Sequence, residues 1–474
     1  MNLLRRIGQW LRGLRGRYEG AVTHSERSIV PGALTSPRFD MTAHSRQEIA
    51  RKARYFEKNS TLVQALVGKF ENFVVGAHPQ ITPNSSDPEW NKRAKIWWDE
   101  WAHIPDIASR QSFGCLLNLM ARNWFIDGEI FIILTKGESF TANGAVRQFP
   151  RIQLIEGHLC RTPPNLDKDP SVVDGVRLDR RGRPVSYYFA EEVRQGQYEF
   201  RTEDADNVIH LFEPSRPGQV RGLSFLHAAI NELHDVDDLL MLEMQAAREN
   251  ASTSVWIKTK SGDLDPGEVR RARLIGTTVT NTGGTATETK AEYYRDVSGG
   301  RARVLKTGDE VNQNAGERPS VTSVGYWKLK IELICAGVEI PYVIIFPDSM
   351  QGTVYRGALD MATSFFRSRH AVIAEVARRI YAYVMRFATA MDRGLASRPG
   401  DFTRVSILPP RAPNVDVGRN AAAEAEALKD GRMNYDLIFG PQGLSWTDEL
   451  LKFNEQLEFI EANCPALAKH IAAQ

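Results

Sequence analysis

Hydrophobic positions along this chain change their period from one stretch to the next. From 46 to 76 ("RQEIARKARYFEKNSTLVQALVGKFENFVVG") and from 88 to 126, apolar residues recur every three or four positions, which predicts helices. The pattern then shortens. "GEIFIIL", "QFPRIQLIEGHLC" and "ADNVIHLF" are brief, β-rich runs that predict strands. "VDGVRLDRRGRPVSYYF" predicts a hairpin turning at Arg181-Gly182-Arg183-Pro184. Residues 40–215 therefore read as a mixed α+β body.

Long helical patterns follow. In "RGLSFLHAAINELHDVDDLLMLEMQAAREN", Leu226, Ala229, Leu233, Val236, Leu240, Met244 and Ala247 form one stripe, with Ser224 as a fair N-cap. Beyond Ser252 the texture becomes Gly/Thr-rich, with a strand-like "STSVWIKTK" and a short helix announced by Asp265 and Pro266. A second helix is expected from Ser320 to about Ile340. Val324, Trp327, Ile331, Ile334 and Val338 give it one apolar face; Tyr326, Leu329 and Leu333 give it another. A helix apolar on two faces is expected to be buried on two faces. Lys328 and Glu332 share a third face. "PDSMQGTVYRG" breaks the pattern, and a long helix is expected from about Val354 to Arg393, striped by Ile373, Val376, Ile380, Val384, Phe387 and Met391. "RVSILPPRAPNVD" reads as a strand and linker. Residues 418–474 read as helices stopped at Gly431 and Gly440-Pro441.

Composition narrows the classes. The 474 residues carry 60 basic and 58 acidic side chains, a net charge of +2, so the chain lacks the basic footprint of a sequence-reading DNA binder. Cys115, Cys160, Cys335 and Cys464 are scattered without a CxxC, which suits reduced thiols rather than a disulfide framework. No run approaches about 18 apolar residues, so no membrane span is expected. The N-terminus differs from the rest: Leu3, Ile7, Trp10, Leu11 and Leu14 form an apolar face among Arg5, Arg6, Arg12, Arg15 and Arg17. It reads as a membrane-surface helix, a transit peptide, or an arm on a partner subunit.

Candidate chemistry is sparse. There is no GxxxxGK[ST] phosphate loop and no GxSxG elbow. His227 and His234 share a face with Asp235, Asp237 and Asp238 nearby, which reads as a solvated acidic face rather than a metal site. Asp127-Gly128-Glu129 holds two carboxylates at a strand start, with no nucleophile nearby in sequence, and reads as structural. No catalytic residue, metal or cofactor is assigned. A structural or assembly protein is favoured over an enzyme of unknown class or a membrane-associated scaffold.

The order of parts, and five segments within it, resembles the portal proteins of tailed bacteriophages, specifically the lambda-type family, over roughly residues 45–460. "WWDEWAHIPDIASRQSFGCLLNLMARNWFIDGE" is similar to a paired-Trp segment ending in Arg-x-x-x-x-Asp-Gly-Glu. "IQLIEGHLC" is similar to the strand that follows it. "DGVRLDRRGRPVSYYF" is similar to the family's hairpin, and "IHLFEPSRPGQVRGLSFLHAAINEL" to its entry into a helix. "NAAAEAEALKDGRMNYDLIFGPQG" is similar to its C-terminal helix and glycine stop. Thr353-Val354-Tyr355-Arg356 departs from the Asn-Tyr-Ser-Ser-type run usual at that place.

The resemblance implies an α+β, mainly helical portal fold forming a ring of about twelve copies around a DNA channel at one capsid vertex. Residues 1–20 would be an N-terminal arm, 21–223 the wing, 224–250 and 320–340 two stem helices, and 251–319 the clip. Residues 341–410 would hold the tunnel loop, a long wing helix and a return strand, and 411–474 the crown. Asp348, Ser349, Met350, Gln351, Gly352, Thr353 and Arg356 would face the DNA. Val324, Trp327, Ile331, Ile334, Leu233 and Leu240 would pack the stem and its neighbours. Lys328, Lys330 and Glu332 are channel-facing candidates. Implied partners are further copies of the chain, double-stranded DNA held weakly and non-specifically, the terminase large subunit, the major capsid protein, and head-completion or tail connector proteins.

Overall fold

Side-chain caps set the first helices. Thr42 accepts the Ser45 amide at 3.2 Å and opens α1 (Ala43–Asn59), and α2 (Thr61–Val74) follows. The short strand β1 is Ile81–Pro83. Asp87 accepts the amides of Glu89 and Trp90 at 3.0 and 3.1 Å and opens α3 (Pro88–His103), whose first residue, Pro88, has no amide to satisfy. Helix α4 (Phe113–Asp127) ends where Gly128 turns left-handed, at φ +82°. The computed structural model describes residues 35–77, 79–140, 146–194, 197–252, 255–258, 296–297, 300–305, 321–347, 352–410, 417–439 and 446–463. The basic N-terminal segment, Asp265 and its expected helix, Asp348–Gln351 and Cys464 lie outside them.

Gly128 leads straight into β2 (Glu129–Phe140), which pairs antiparallel with β3 (Val146–Glu156). Next comes a four-stranded antiparallel meander, β4 (Val172–Val173), β5 (Val176–Leu178), β6 (Pro184–Arg194) and β7 (Gln197–Asp204). Strand β8 (Val208–Phe212) then closes the three-stranded sheet β3-β2-β8. β2 is central and apolar on both sides, as its unbroken sequence requires. Ile130 and Ile132 face the helices, while Phe131 and Ile133 face Val176, Tyr187 and Phe189 of the meander. The hairpin turns as expected: Asp179 Oδ1 accepts the amides of Arg181 and Arg183, each at 2.8 Å, and Gly182 sits at φ +82°.

The chain then forms α5 (Ile230–Ser252), the short strands β9 (Val255–Lys258), β10 (Asp296–Val297) and β11 (Gly300–Leu305), and α6 (Val321–Gly337). Helix α7 (Gly352–Met391) crosses the body with Ile373, Val376, Ile380 and Val384 buried. Beside it Trp98, Trp101, Phe113 and Tyr381 form one aromatic cluster, and the Trp101 indole donates to Pro150 O at 2.8 Å. Strand β12 (Val405–Ile407) pairs with β1; α8 (Val417–Lys429), a short helix Tyr435–Phe439 and α9 (Trp446–Asn463) are the last of the described elements. The fold is α+β and mainly helical.

Two details depart from the sequence reading. The first long helix begins at Ile230, not Ser224. Residues 224–229 coil in tight turns instead: Ser224 Oγ accepts the Leu226 amide at 3.1 Å, and the Ala229 amide donates to Leu226 O at 2.9 Å. Phe225 causes this. Its amide donates to Phe125 O at 3.1 Å and its ring stacks on Phe125 at 5.3 Å, drawing the backbone out of helical register. The second is β1, three residues too short to show a period, which forms because Ile407 and Val405 lie opposite Ile81 and Pro83. Among the described residues no helix is long and apolar enough to cross a membrane.

Candidate functional site

Helices α5 and α6 rise together as an antiparallel arm. Lys330 Nζ lies 2.9 Å from Asp235 Oδ2, and Ser323 Oγ donates to Glu243 Oε1 at 3.2 Å, so one helix ascends as the other descends. At the foot, Ile230, Leu233 and Val236 of α5 and Ile334 and Cys335 of α6 are buried in the main core. Higher up the α5 stripe emerges at Leu240 and Met244, and with Met241 and Leu242 beside them these residues are between 45% and 60% exposed. On α6 the second apolar face, Tyr326, Leu329 and Leu333, is 48–51% exposed along its length.

This sorts the expected packing residues. Leu233 and Ile334 are interior to the chain, not on an outer surface, because the foot of the arm is rooted in the body. Leu240 and Val324 are exposed, and Trp327 and Ile331 are half-buried. The two-sided burial expected of α6 is met within the chain on one side only. Lys330 turns toward Asp235, and its side chain is mostly covered. Lys328 and Glu332 stay about half-exposed, 3.9 Å apart, with the Lys328 ammonium 5.7 Å above the Tyr342 ring. His234 packs edge-on against Phe56 at 4.7 Å, and His227 Nδ1 lies 2.8 Å from Ser224 O, so each histidine has a local structural contact.

A buried ionic knot holds the root of the arm. Glu129 is fully buried, and its carboxylate accepts from Arg221 Nε at 3.1 and 3.0 Å, Arg46 Nη1 at 3.1 Å and the Gly222 amide at 2.8 Å. Arg221 also donates to Gly157 O at 2.6 Å and Cys160 O at 3.1 Å, and Arg46 reaches Asp174 Oδ2 at 2.7 Å. Burial alone would raise the Glu129 carboxyl pKa; Arg221, the His210 hydrogen bond and Arg46 outweigh it and hold the group far below the usual range. Burial pushes His210 down, so its ring is neutral and Nε2 donates its proton to Glu129 Oε2 at 3.0 Å. Two glycines make the knot possible. A Cβ on Gly128 would lie 2.1 Å from the Leu223 carbonyl carbon, and one on Gly222 would lie 2.1 Å from Gly128 O. The turn after α4 and the lead into the arm therefore touch backbone to backbone.

Of the expected tunnel loop, Gly352, Thr353 and Arg356 belong to the first turns of α7, which starts two residues earlier than its pattern announced. Arg369, further along α7, ties it to the arm's end: its guanidinium reaches Glu213 Oε1 at 2.5 Å and Glu339 Oε2 at 3.1 Å.

Asp127-Gly128-Glu129 reads in the sequence as structural, and both its carboxylates are held by arginines, Asp127 by Arg54 and Glu129 by Arg46 and Arg221. Arg46, Asp174, His210 and Arg221 come from other segments of the chain. Their signal was weak but present: "RG" at 221–222 and "DG" at 174–175 pair a charge with a glycine, as close backbone approach demands.

These features define a class: a mixed α+β body carrying a rooted two-helix arm with apolar outer faces. The description "phage portal protein, lambda family" matches residues 30–358, and the chain belongs to that family. It is similar to a probable portal protein of Halomonas phage phiHAP-1, 26% identical over 186 residues. That match spans 38% of this chain and about a third, 33%, of the relative's length. Among solved structures it is similar to a chain in the virion of a native gene transfer agent particle, at 13% identity and TM-score 0.46, covering 82% of this chain and 91% of that one. It is also similar to a chain in the neck of the native particle computed with C12 symmetry, at 13% identity and TM-score 0.42, covering 83% and 91%.

Proposed function

We propose that this chain is the subunit of a portal ring, through which viral DNA enters and leaves the capsid at one vertex. The observation that carries the reading, beside family membership, is the uncovered apolar face of α6. Soluble single chains rarely leave large apolar side chains exposed in a contiguous row, and such a row marks a protein-binding surface. About twelve copies closing by rotation would cover each α6 with a different, complementary surface of the next copy, because the contacts of such a ring run head to tail. The work is structural, not catalytic.

In this reading the wing is 21–223, the stem helices are 224–250 and 320–340, the clip 251–319, the long wing helix and tunnel loop 341–410, and the crown 411–474. Asp348, Ser349, Met350, Gln351, Gly352, Thr353 and Arg356 approach the DNA, with Lys328 and Glu332 along the stem. Near-zero net charge suits a conduit, because a wall of unpaired cations would bind phosphates and hinder sliding. The terminase large subunit and the connectors meet the clip, and the major capsid protein meets the wing. Assembly takes place in the host cytoplasm and the product resides in the virion.

The test is the native mass and outline of the purified protein. The reading expects closed rings by negative stain, of roughly ten or more times the 53.3 kDa chain, formed without DNA. A monodisperse monomer at micromolar concentration would refute it.

A further inference from the structure

A second site lies on the body. Where the meander, β8 and α7 meet, a cavity of about 460 Å³ opens to solvent, within the range of natural ligand pockets. Its floor is apolar, built by Leu178, Tyr187, Val208, Phe212 and Val220. The loop that forms one wall is rigidly braced. Gln219 Oε1 accepts from the Ser215 amide at 2.9 Å and the Ser215 hydroxyl at 3.0 Å, and its Nε2 donates to Arg221 O at 2.8 Å.

The rim carries two arginines, Arg183 and Arg379, and one carboxylate, Asp206. Arg379 of α7 lines the cavity and has no hydrogen bond or ion pair among the described residues. Arg183 lines it too, its one carboxylate, Asp206, standing 3.7 Å away with both side chains largely exposed. Arg180 and Arg181 occupy the adjoining hairpin tip, also without ion pairs among the described residues. The nearby Asp179 is engaged, because its Oδ1 accepts the turn amides of Arg181 and Arg183. By contrast Arg46, Arg54, Arg122 and Arg369 of the body are each held by carboxylates. Here an apolar floor lies beside Arg379, which has no such partner among the described residues, and Arg183, whose exposed partner Asp206 also lines the cavity.

We infer that this cavity is a docking site for an acidic peptide segment of a partner protein, one apolar side chain seated on the floor and flanking carboxylates held by Arg379 and Arg183. The site is independent of the ring reading. A guanidinium is the residue suited to carboxylate, binding it through two parallel hydrogen bonds. An apolar anchor with charged flanks is a common form of peptide recognition. Charge complementarity selects this occupant. A DNA backbone offers the apolar floor nothing to bury. The chain's own residues 1–34 carry Arg5, Arg6, Arg12, Arg15 and Arg17 and are of the wrong sign.

The test uses the full chain and two fluorescein-labelled peptides. One is Glu-Asp-Leu-Phe-Asp-Glu; its control has glycine and serine in place of leucine and phenylalanine. Anisotropy should show saturable binding of the first, at least tenfold weaker binding of the control, and at least tenfold weaker binding of the first to Arg379→Ala. Arg386→Ala, an exposed arginine on the same helix that does not line the cavity, should bind like the parent. Absence of saturable binding would overturn the inference, as would equal binding by Arg379→Ala. Displacement of the peptide by a short DNA duplex at lower concentration would assign the rim to nucleic acid, and binding that appears only on removal of residues 1–34 would assign the cavity to the chain's own N-terminus. Either result overturns the partner-peptide assignment.

Discussion

Adjacent residues Leu333 and Ile334 should behave in opposite ways. Leu333, with Leu329, lies on the uncovered face of α6 and is 51% exposed; Ile334 is wholly buried against the body. Fully burying a leucine contributes about 1.5–3 kcal/mol, so the half still in water leaves about 1 kcal/mol or slightly more to be gained at each. Leu329→Ser with Leu333→Ser therefore removes about 2–3 kcal/mol from each contact this face makes, a factor of roughly 30–150 in its dissociation constant. Inside the subunit only the covered half of each side chain is lost. Ile334→Ala is the reverse: truncation in a packed core costs about 2–5 kcal/mol of folding stability. Two measurements separate them. Mass photometry over a dilution series reports assembly, and circular dichroism melting, run below the assembly concentration, reports the subunit alone. The double serine variant should melt within a few degrees of the parent yet form rings only at much higher concentration, while Ile334→Ala should melt early. Rings at the parent's concentration in the serine variant would show that this face is not the interface. Early melting of that variant would show that the leucines belong to the fold.

Further outcomes follow from the knot at the arm's root and from the thiols. Glu129→Gln strips the charge between Arg46 and Arg221 and should cost about 3–5 kcal/mol in urea unfolding, since uncompensated buried charge remains. Stability should also fall in acid. The Glu129 carboxyl is held far below its ordinary value despite burial, and Glu156 is brought to about 2 by its hydrogen bond to His158 and by Arg54, against burial. Both folded-state values are depressed, so their contribution is complete above the unfolded value of about 4.3 and is lost as pH falls through the folded ones. The unfolding midpoint should drop between about pH 4.5 and pH 2, less steeply in Glu129→Gln; a flat profile would contradict the assignment. Mass-spectrometric mapping of thiol labelling should find Cys115 modified well before Cys160 and Cys335, because burial raises those two to about 12 and 11.

How far the fold was legible depended on whether a feature is local. The stripe from Ile373 to Val384 repeats along α7, and the Asp179–Arg183 turn carries its own chemistry, so both were plain in the residues. The two apolar faces of α6 were equally plain, since period alone declares them. What escaped was set by distant partners. Ser224 looks like a helix cap, and only the stacking of Phe225 on Phe125, 100 positions earlier, explains why the helix waits until Ile230. The ionic knot draws Arg46, Glu129, Asp174, His210 and Arg221 from five separate segments, and no spacing rule joins them. The pairing of Lys330 was hidden for a related reason: its carboxylate, Asp235, sits on another helix.

The antiparallel run of the arm has a consequence for how such a chain can change over generations. Glu243 and Ser323 are bonded across the two helices, so the eighty-position stretch between them leaves and returns at one place. Everything below that bond, including the knot at Glu129, is indifferent to how long the stretch is. Doubling a loop closed at a fixed point adds only about 0.6 kcal/mol of closure entropy. The bond is in effect a splice point, a place where one module can be exchanged for another of different size and a new counterpart met, while the body below folds as before.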